Sequence, residues 1–193
     1  MRNIESNGNK VSLTSVKELT RRMRQTTSLL FVSILFALAV SVSAAGQSQT
    51  FTDDNVDYKL ELPSSWQVVS RPDGLQRRAE FIYGDRLNGY LQIYKETVEP
   101  GVTPAGLAAS NEDEKLRFKP GYVDGKDEKF TGRLDGLTVS YEFTYAGKPM
   151  AGRIYYLQAD NRTIYVLHFT GLRDKLEHIR NQTDSIARSF TVK

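Results

Sequence analysis

Residues 137–170 constrain this chain more tightly than any other part of it. Three runs rich in β-branched and aromatic residues, 137–145, 153–158 and 163–170, are separated by the turn-forming clusters Ala146-Gly147-Lys148-Pro149 and Ala159-Asp160-Asn161-Arg162. That pattern predicts an antiparallel meander. The first run alternates, with Leu137, Val139, Tyr141, Phe143 and Tyr145 on one face and Thr138, Ser140, Glu142 and Thr144 on the other. It reads as a strand with one buried and one wet side. The third run is apolar at nearly every position over 164–169, so it is expected to be covered on both faces and to lie centrally.

Charge and cysteine content narrow the class further. The chain of 193 residues carries a formal charge of +3 from 26 basic and 23 acidic residues, and it has no cysteine. Residues 1–44 hold six of the basic residues (Arg2, Lys10, Lys17, Arg21, Arg22, Arg24) and two of the acidic ones (Glu5, Glu18), which leaves 20 and 21 in 45–193, a net of −1. The basic balance thus belongs to the N-terminal segment, and the remainder carries no basic footprint for nucleic acid. Without cysteine there is no disulfide, thiolate metal site, cysteine nucleophile or acylated lipobox.

The N-terminal segment has its own grammar. Residues 29–40 form a short apolar block, preceded by Arg21, Arg22 and Arg24 and followed by Ser41-Val42-Ser43-Ala44-Ala45. This is the order of a secretory signal, with cleavage expected after Ala44 or Ala45. The alternative is an uncleaved anchor, since nothing charged occurs between Gln25 and Thr52. A spanning helix needs about 20 consistently apolar residues, and the Ser-Val-Ser-Ala tail interrupts such a run. The expected organisation is a signal peptide over 1–45, with Met23 as a candidate true start, a polar linker over 46–50 and one domain over 51–193. The protein is then exported, periplasmic or extracellular, with no membrane span after cleavage.

Along the domain, Tyr58-Lys-Leu-Glu-Leu-Pro63 alternates and stops at proline, as a strand does. Trp66, the only tryptophan, introduces a further strand and is expected to anchor the core. Asp73-Gly74 reads as a turn, and 79–83 and 90–94 read as a strand pair around Asn88-Gly89. Thr103-Pro104 is a helix start; the helix carries Ala105, Leu107, Ala108, Leu116 and Phe118 and ends at Pro120-Gly121. The acidic stretch Asn111-Glu112-Asp113-Glu114 reads as a solvated helical face rather than a calcium loop. A weakly patterned strand carrying Phe130 leads into the meander. After it, Leu172, Leu176, Ile179, Thr183 and Ile186 form one helical stripe, and Phe190 is expected to plug the core.

Chemistry-bearing patterns are sparse. His168 lies in a strand on the side of Ile164 and Val166 and reads as a hydrogen-bonded core or edge histidine, hard for water or substrate to reach; His178 reads as solvated. No metal-binding histidine spacing, nucleophile elbow or phosphate-cradling glycine loop occurs. No catalytic, metal-binding or cofactor-binding residue is therefore assigned, and no cofactor is expected.

The packing motifs Tyr58-x-Leu-x-Leu-Pro63 with Trp66, Leu134-Asp-Gly136, Tyr141-Glu-Phe143, Ile164-Tyr-Val-Leu167 and Ile186-x-x-Ser189-Phe190 come in an order that resembles the PsbP-like fold. That fold is shared by the extrinsic photosystem II subunit PsbP, periplasmic DcrB-type proteins and a Ran-binding nuclear-import factor. The resemblance covers about 51–192 and implies an α+β fold, an antiparallel β-sheet with helices packed against it in an α/β/α sandwich. It also implies a non-enzymatic role, docking onto another protein. The expected function is an exported, non-catalytic binding or assembly module acting through a protein partner. The alternative is a hydrolase or small-ligand carrier with a tyrosine-lined cleft between sheet and helices, which a pocket of convergent polar groups around a strongly shifted titratable residue would favour.

Overall fold

A computed structural model describes residues 48–70 and 79–193. The signal segment, the cleavage positions Ala44 and Ala45 and the Asp73-Gly74 turn lie outside the described residues. In chain order the strands are β1 (Ser48–Thr52), β2 (Tyr58–Pro63), β3 (Trp66–Ser70), β4 (Ala79–Tyr83), β5 (Tyr90–Thr97), β6 (Val123–Phe130), β7 (Gly136–Tyr145), β8 (Lys148–Asp160), β9 (Thr163–Leu172) and β10 (Thr191–Val192). Helix α1 (Pro104–Asn111) runs into a π-turn (Glu112–Leu116), and α2 (Arg173–His178) and α3 (Arg180–Ser189) come after the last long strand.

Seven strands form one antiparallel sheet in the order β3-β4-β5-β9-β8-β7-β6, while β1, β2 and β10 form a smaller one. The meander is therefore β7-β8-β9, and β9 is the middle strand, as its unbroken apolar run predicts. Ile164, Tyr165, Val166, Leu167 and Phe169 are all buried, alternate residues facing opposite layers. Tyr165, Leu167 and Phe169 pack with Trp66, Phe81, Leu176, Ile186 and Phe190 under α2, α3 and the small sheet. Ile164 and Val166 pack with Val139, Tyr141, Ile154 and Tyr156 under α1 and the π-turn. Each face of the sheet thus has its own core and its own helical layer.

Several elements differ in detail from their sequence patterns. The β7–β8 connection is a two-residue turn with Ala146 and Gly147 at φ 49° and 73°, the left-handed pair that matches strand twist. Strand β8 consequently begins at Lys148, and Pro149 lies ahead of Met150, where pairing with β9 starts. On β7 the alternation buries Val139, Tyr141 and Phe143, but Tyr145 beside the turn is exposed, and Thr138 is buried because the opposite face is covered too. The linker expected over 46–50 is strand from Ser48 onward: β1 pairs with β2, Phe51 opposite Leu60. Its polar side chains conceal it in the sequence, since an edge strand held by main-chain bonds needs only one inward apolar residue.

Helix α1 starts as predicted, with Thr103 Oγ1 accepting from the Gly106 amide at 3.2 Å and Pro104 opening the helix. Its continuation is a π-turn closed by the Arg117 amide on the Glu112 carbonyl at 3.1 Å. The extra residue per turn rotates the next positions about the helix axis, so Leu116 faces the sheet while Phe118, expected on the apolar face, is exposed. The final stripe is also divided. Leu172 closes β9, and the helix breaks at Ile179 (φ −97°, ψ 13°), yet Leu176, Ile179, Thr183 and Ile186 all remain buried. Trp66 and Phe190 are core residues, and Trp66 Nε1 donates to Gln182 Oε1 at 2.9 Å.

Candidate functional site

On the α1 side, the helical layer stops short of covering the sheet and leaves a cleft of about 300 Å³. Strand alternation supplies its floor: Tyr94 and Glu96 from β5, Val166 and His168 from β9, and Ile154 and Tyr156 from β8. Register brings them together, for Val166 lies opposite both Tyr94 and Tyr156, and His168 opposite Ile154. The wall is Asn111, Lys115, Leu116 and Lys119, from the end of α1, the π-turn and the loop after it.

His168 is held by Tyr141, whose hydroxyl lies 2.8 Å from Nε2. That reach across two strands depends on Gly152. Tyr141 and Gly152 are cross-strand partners, and a side-chain carbon at Gly152 would collide with the tyrosine ring. With only hydrogen there, the ring lies flat over β8 and its hydroxyl meets β9. Burial, reinforced by the Lys119 charge, pushes the His168 imidazole down to about 4, so it is neutral at physiological pH. Tyr141 moves the other way, its hydroxyl held well above the usual phenol range by burial. The same cause pushes Tyr156 up to about 12, against a lowering contact from Asn111.

Two lysines frame the cleft. Lys115 Nζ donates to Asn111 Oδ1 at 2.8 Å, and Lys119 Nζ lies 4.8 Å from the Phe143 ring centroid. Neither is within ion-pair distance of a carboxylate among the described residues, and Glu96 forms no ion pair there either.

A second concavity, about 210 Å³, lies on the other side around Arg153, Arg173 and Arg180. Its arginines are already matched: Arg153 with Asp184 at 3.0 Å, Arg173 with Glu142 at 3.1 Å and Arg180 with Glu128 at 3.4 Å. Arg153 Nε also donates to the Tyr155 hydroxyl at 2.7 Å, and that hydroxyl donates to Asp184.

The histidine expected to be sealed in a doubly covered strand thus lines a cleft, a correction to its expected inaccessibility. The covering on its face is a short helix and π-turn that end before His168. His178 is exposed, as expected. Lys115, Lys119, Glu96, Tyr94 and Tyr156 carry no local motif; only the two-residue spacing of Tyr94 to Glu96 and Val166 to His168 hinted that they share a face. Among the described residues no three His, Asp or Glu side chains gather as metal ligands, and no helix is long and apolar enough to cross a membrane.

Neither a protein-family model nor a curated protein matches the chain. Solved structures do. A Bacteroides thetaiotaomicron protein aligns over 76% of this chain at 11% identity and TM-score 0.54, and the chain spans about half (49%) of that protein's length. LpqN, involved in cell envelope biogenesis of Mycobacterium tuberculosis, aligns over 79% of this chain and 87% of its own at 13% identity and TM-score 0.50. The cyanobacterial PsbP (CyanoP) of Synechocystis aligns over 79% of this chain and 96% of its own at 12% identity and TM-score 0.50. At such identities the likeness is one of fold, and the central antiparallel sheet between two helical layers is a PsbP-like α+β fold.

Proposed function

We propose that the protein is an exported, non-catalytic binding module whose ligand site is the cleft beside His168. The observation that carries this reading is the convergence of two uncompensated lysines, two tyrosines and a neutral histidine on an apolar floor. Pockets that hold small molecules combine an apolar lining with a few placed polar groups in this way. The cleft is poorly equipped for catalysis. Among the described residues no serine or threonine lines it, and a histidine near 4 lies far from the pKa that suits general acid–base work at neutral pH. Export rests on the signal grammar of 21–45, and the likeness in fold to LpqN, an envelope-biogenesis protein, is in keeping with it.

A fragment screen tests the reading. Ligands of the cleft are expected to raise the melting temperature of the purified protein and to shift the side-chain NMR signals of Tyr94, Tyr156 and His168. Lys115→Trp, which fills the cleft from an exposed wall position, should abolish both effects. A hydrolase screen showing turnover that His168→Gln removes, with folding intact by circular dichroism, would replace this reading with an enzyme.

A protein partner is the second reading, and a separate observation favours it. Among the described residues, Phe118, Val123 and Tyr145 are exposed by 78%, 57% and 63%, and all three belong to one end of the fold. There the Thr144 amide donates to the Pro120 carbonyl at 2.7 Å, tying the loop after the π-turn to the β7–β8 turn. If this end meets a partner, Phe118→Ala with Tyr145→Ala should abolish co-purification from an envelope fraction without lowering the melting temperature.

A further inference from the structure

We infer that the cleft selects a small organic monocarboxylate with an apolar body, its carboxylate met by Lys115, Lys119 and the His168 imidazole; this rests on the cleft being the ligand site. The donor set points to that class. Tyr141 keeps its proton, and His168 Nε2 is its only hydrogen-bond partner among the described residues. A hydroxyl donating to Nε2 leaves the imidazole proton on Nδ1. That nitrogen has no protein partner there, and it is not among the buried atoms lacking one, so it meets solvent. His168 lines the cleft, which makes Nδ1–H a fixed donor directed by Tyr141 rather than a titrating charge.

Lysine ammonium groups supply the charge. Among the described residues the lining holds these two lysines and one carboxylate, Glu96, with His168 neutral. Asp127 and Glu112, the latter paired with Arg117, also act on the Tyr156 hydroxyl, so the positive surplus is small and suits one negative charge rather than two or three. The apolar surfaces of Ile154, Val166 and Leu116 and the tyrosine rings then accept the rest of the molecule. A cleft of 300 Å³ has room for a compound of about ten to fifteen non-hydrogen atoms. The second concavity offers nothing comparable, because its arginines already hold carboxylates of the protein itself.

Phenylacetate titrated calorimetrically into the full chain tests this, with phenylacetamide as the neutral isostere and inorganic phosphate as the anion without an apolar body. Phenylacetate is expected to bind saturably with a Kd between about 10 µM and 1 mM, and the amide and phosphate about tenfold or more weakly. Lys119→Gln and Lys115→Gln should each weaken phenylacetate about fivefold at unchanged melting temperature, and Glu96→Gln should tighten it about twofold. Equal binding of acid and amide, with both lysine variants silent, overturns the carboxylate inference and leaves the cleft as a ligand site. Phosphate binding as tightly as phenylacetate likewise overturns it, in favour of a simple anion site. If no compound, charged or neutral, shifts the NMR signals of Tyr94, Tyr156 and His168, both the inference and the ligand-site reading fall.

Discussion

The two concavities on opposite faces of the sheet use charged residues in opposite ways. Around Arg153 every guanidinium has a carboxylate within 3.0 to 3.4 Å, and the Tyr155 hydroxyl links Arg153 to Asp184. In the α1 cleft, Lys115, Lys119 and Glu96 stand without ion-pair partners among the described residues, around a histidine that burial has neutralised. The first arrangement ties α2 to β7 and α3 to β8 and β6. The second leaves charge uncompensated beside an apolar floor, where it contributes little to folding and is available to a ligand. Internally satisfied polar groups act as structural cement, whereas open ones beside an apolar floor are what the proposed ligand site would use.

The largest effect expected is on the cemented face. Trp66 is fully buried there, edge-on to Phe169 and hydrogen-bonded to Gln182 of α3, so Trp66→Ala should cost about 3–5 kcal/mol in chemical denaturation. A variant that keeps its melting temperature but loses a ligand or partner would make Trp66 a binding residue instead.

Breaking the ion pair sharpens the contrast. Asp184→Ala strands a guanidinium whose side chain is only 11% exposed, with Glu128 at 3.9 Å as a poor substitute, and should cost about 3 kcal/mol. If the loss is below about 0.5 kcal/mol, the paired cluster is as dispensable as the cleft lysines, and the distinction between the two faces fails.

His168 makes the cleft face sensitive to acid. Its folded pKa of about 4 lies below the ordinary 6.5, so the unfolded chain binds the extra proton first. The histidine's contribution is fully present above pH 6.5 and is lost as pH falls toward 4, by an amount on the order of 3 kcal/mol or less. The difference in stability between the protein and His168→Gln, followed by urea melts across that interval, should shrink as pH falls. A difference that does not change with pH would mean that the imidazole is not depressed.

The smallest expected effect is at the cleft wall. Lys115→Gln and Lys119→Gln should each change stability by no more than about 0.5 kcal/mol, since neither lysine holds a carboxylate among the described residues. A larger loss in either would move these lysines into the structural class of Arg153.

Residue order alone determined the architecture of this chain because its signals are local. Alternation in 137–145, the doubly apolar run at 164–169 and the stripe from Leu176 through Ile186 each need only near neighbours to be read, and the sheet and its helical layers are their consequence. The Thr103-Pro104 start and the Ala146-Gly147 turn are equally local, set by a capping oxygen and by left-handed backbone. Strand β1 was hidden because main-chain pairing, not side-chain pattern, holds an edge strand. The cleft belongs to tertiary structure for a different reason. It joins β5, β8, β9 and the π-turn, elements up to about seventy residues apart, and it exists because one extra residue in a helical turn and a missing side chain at Gly152 decide where the covering ends and which way His168 is held. Nothing in the neighbours of Lys115, Lys119 or His168 announces that they line one cleft, since register and layer packing, not sequence proximity, bring these side chains to one place.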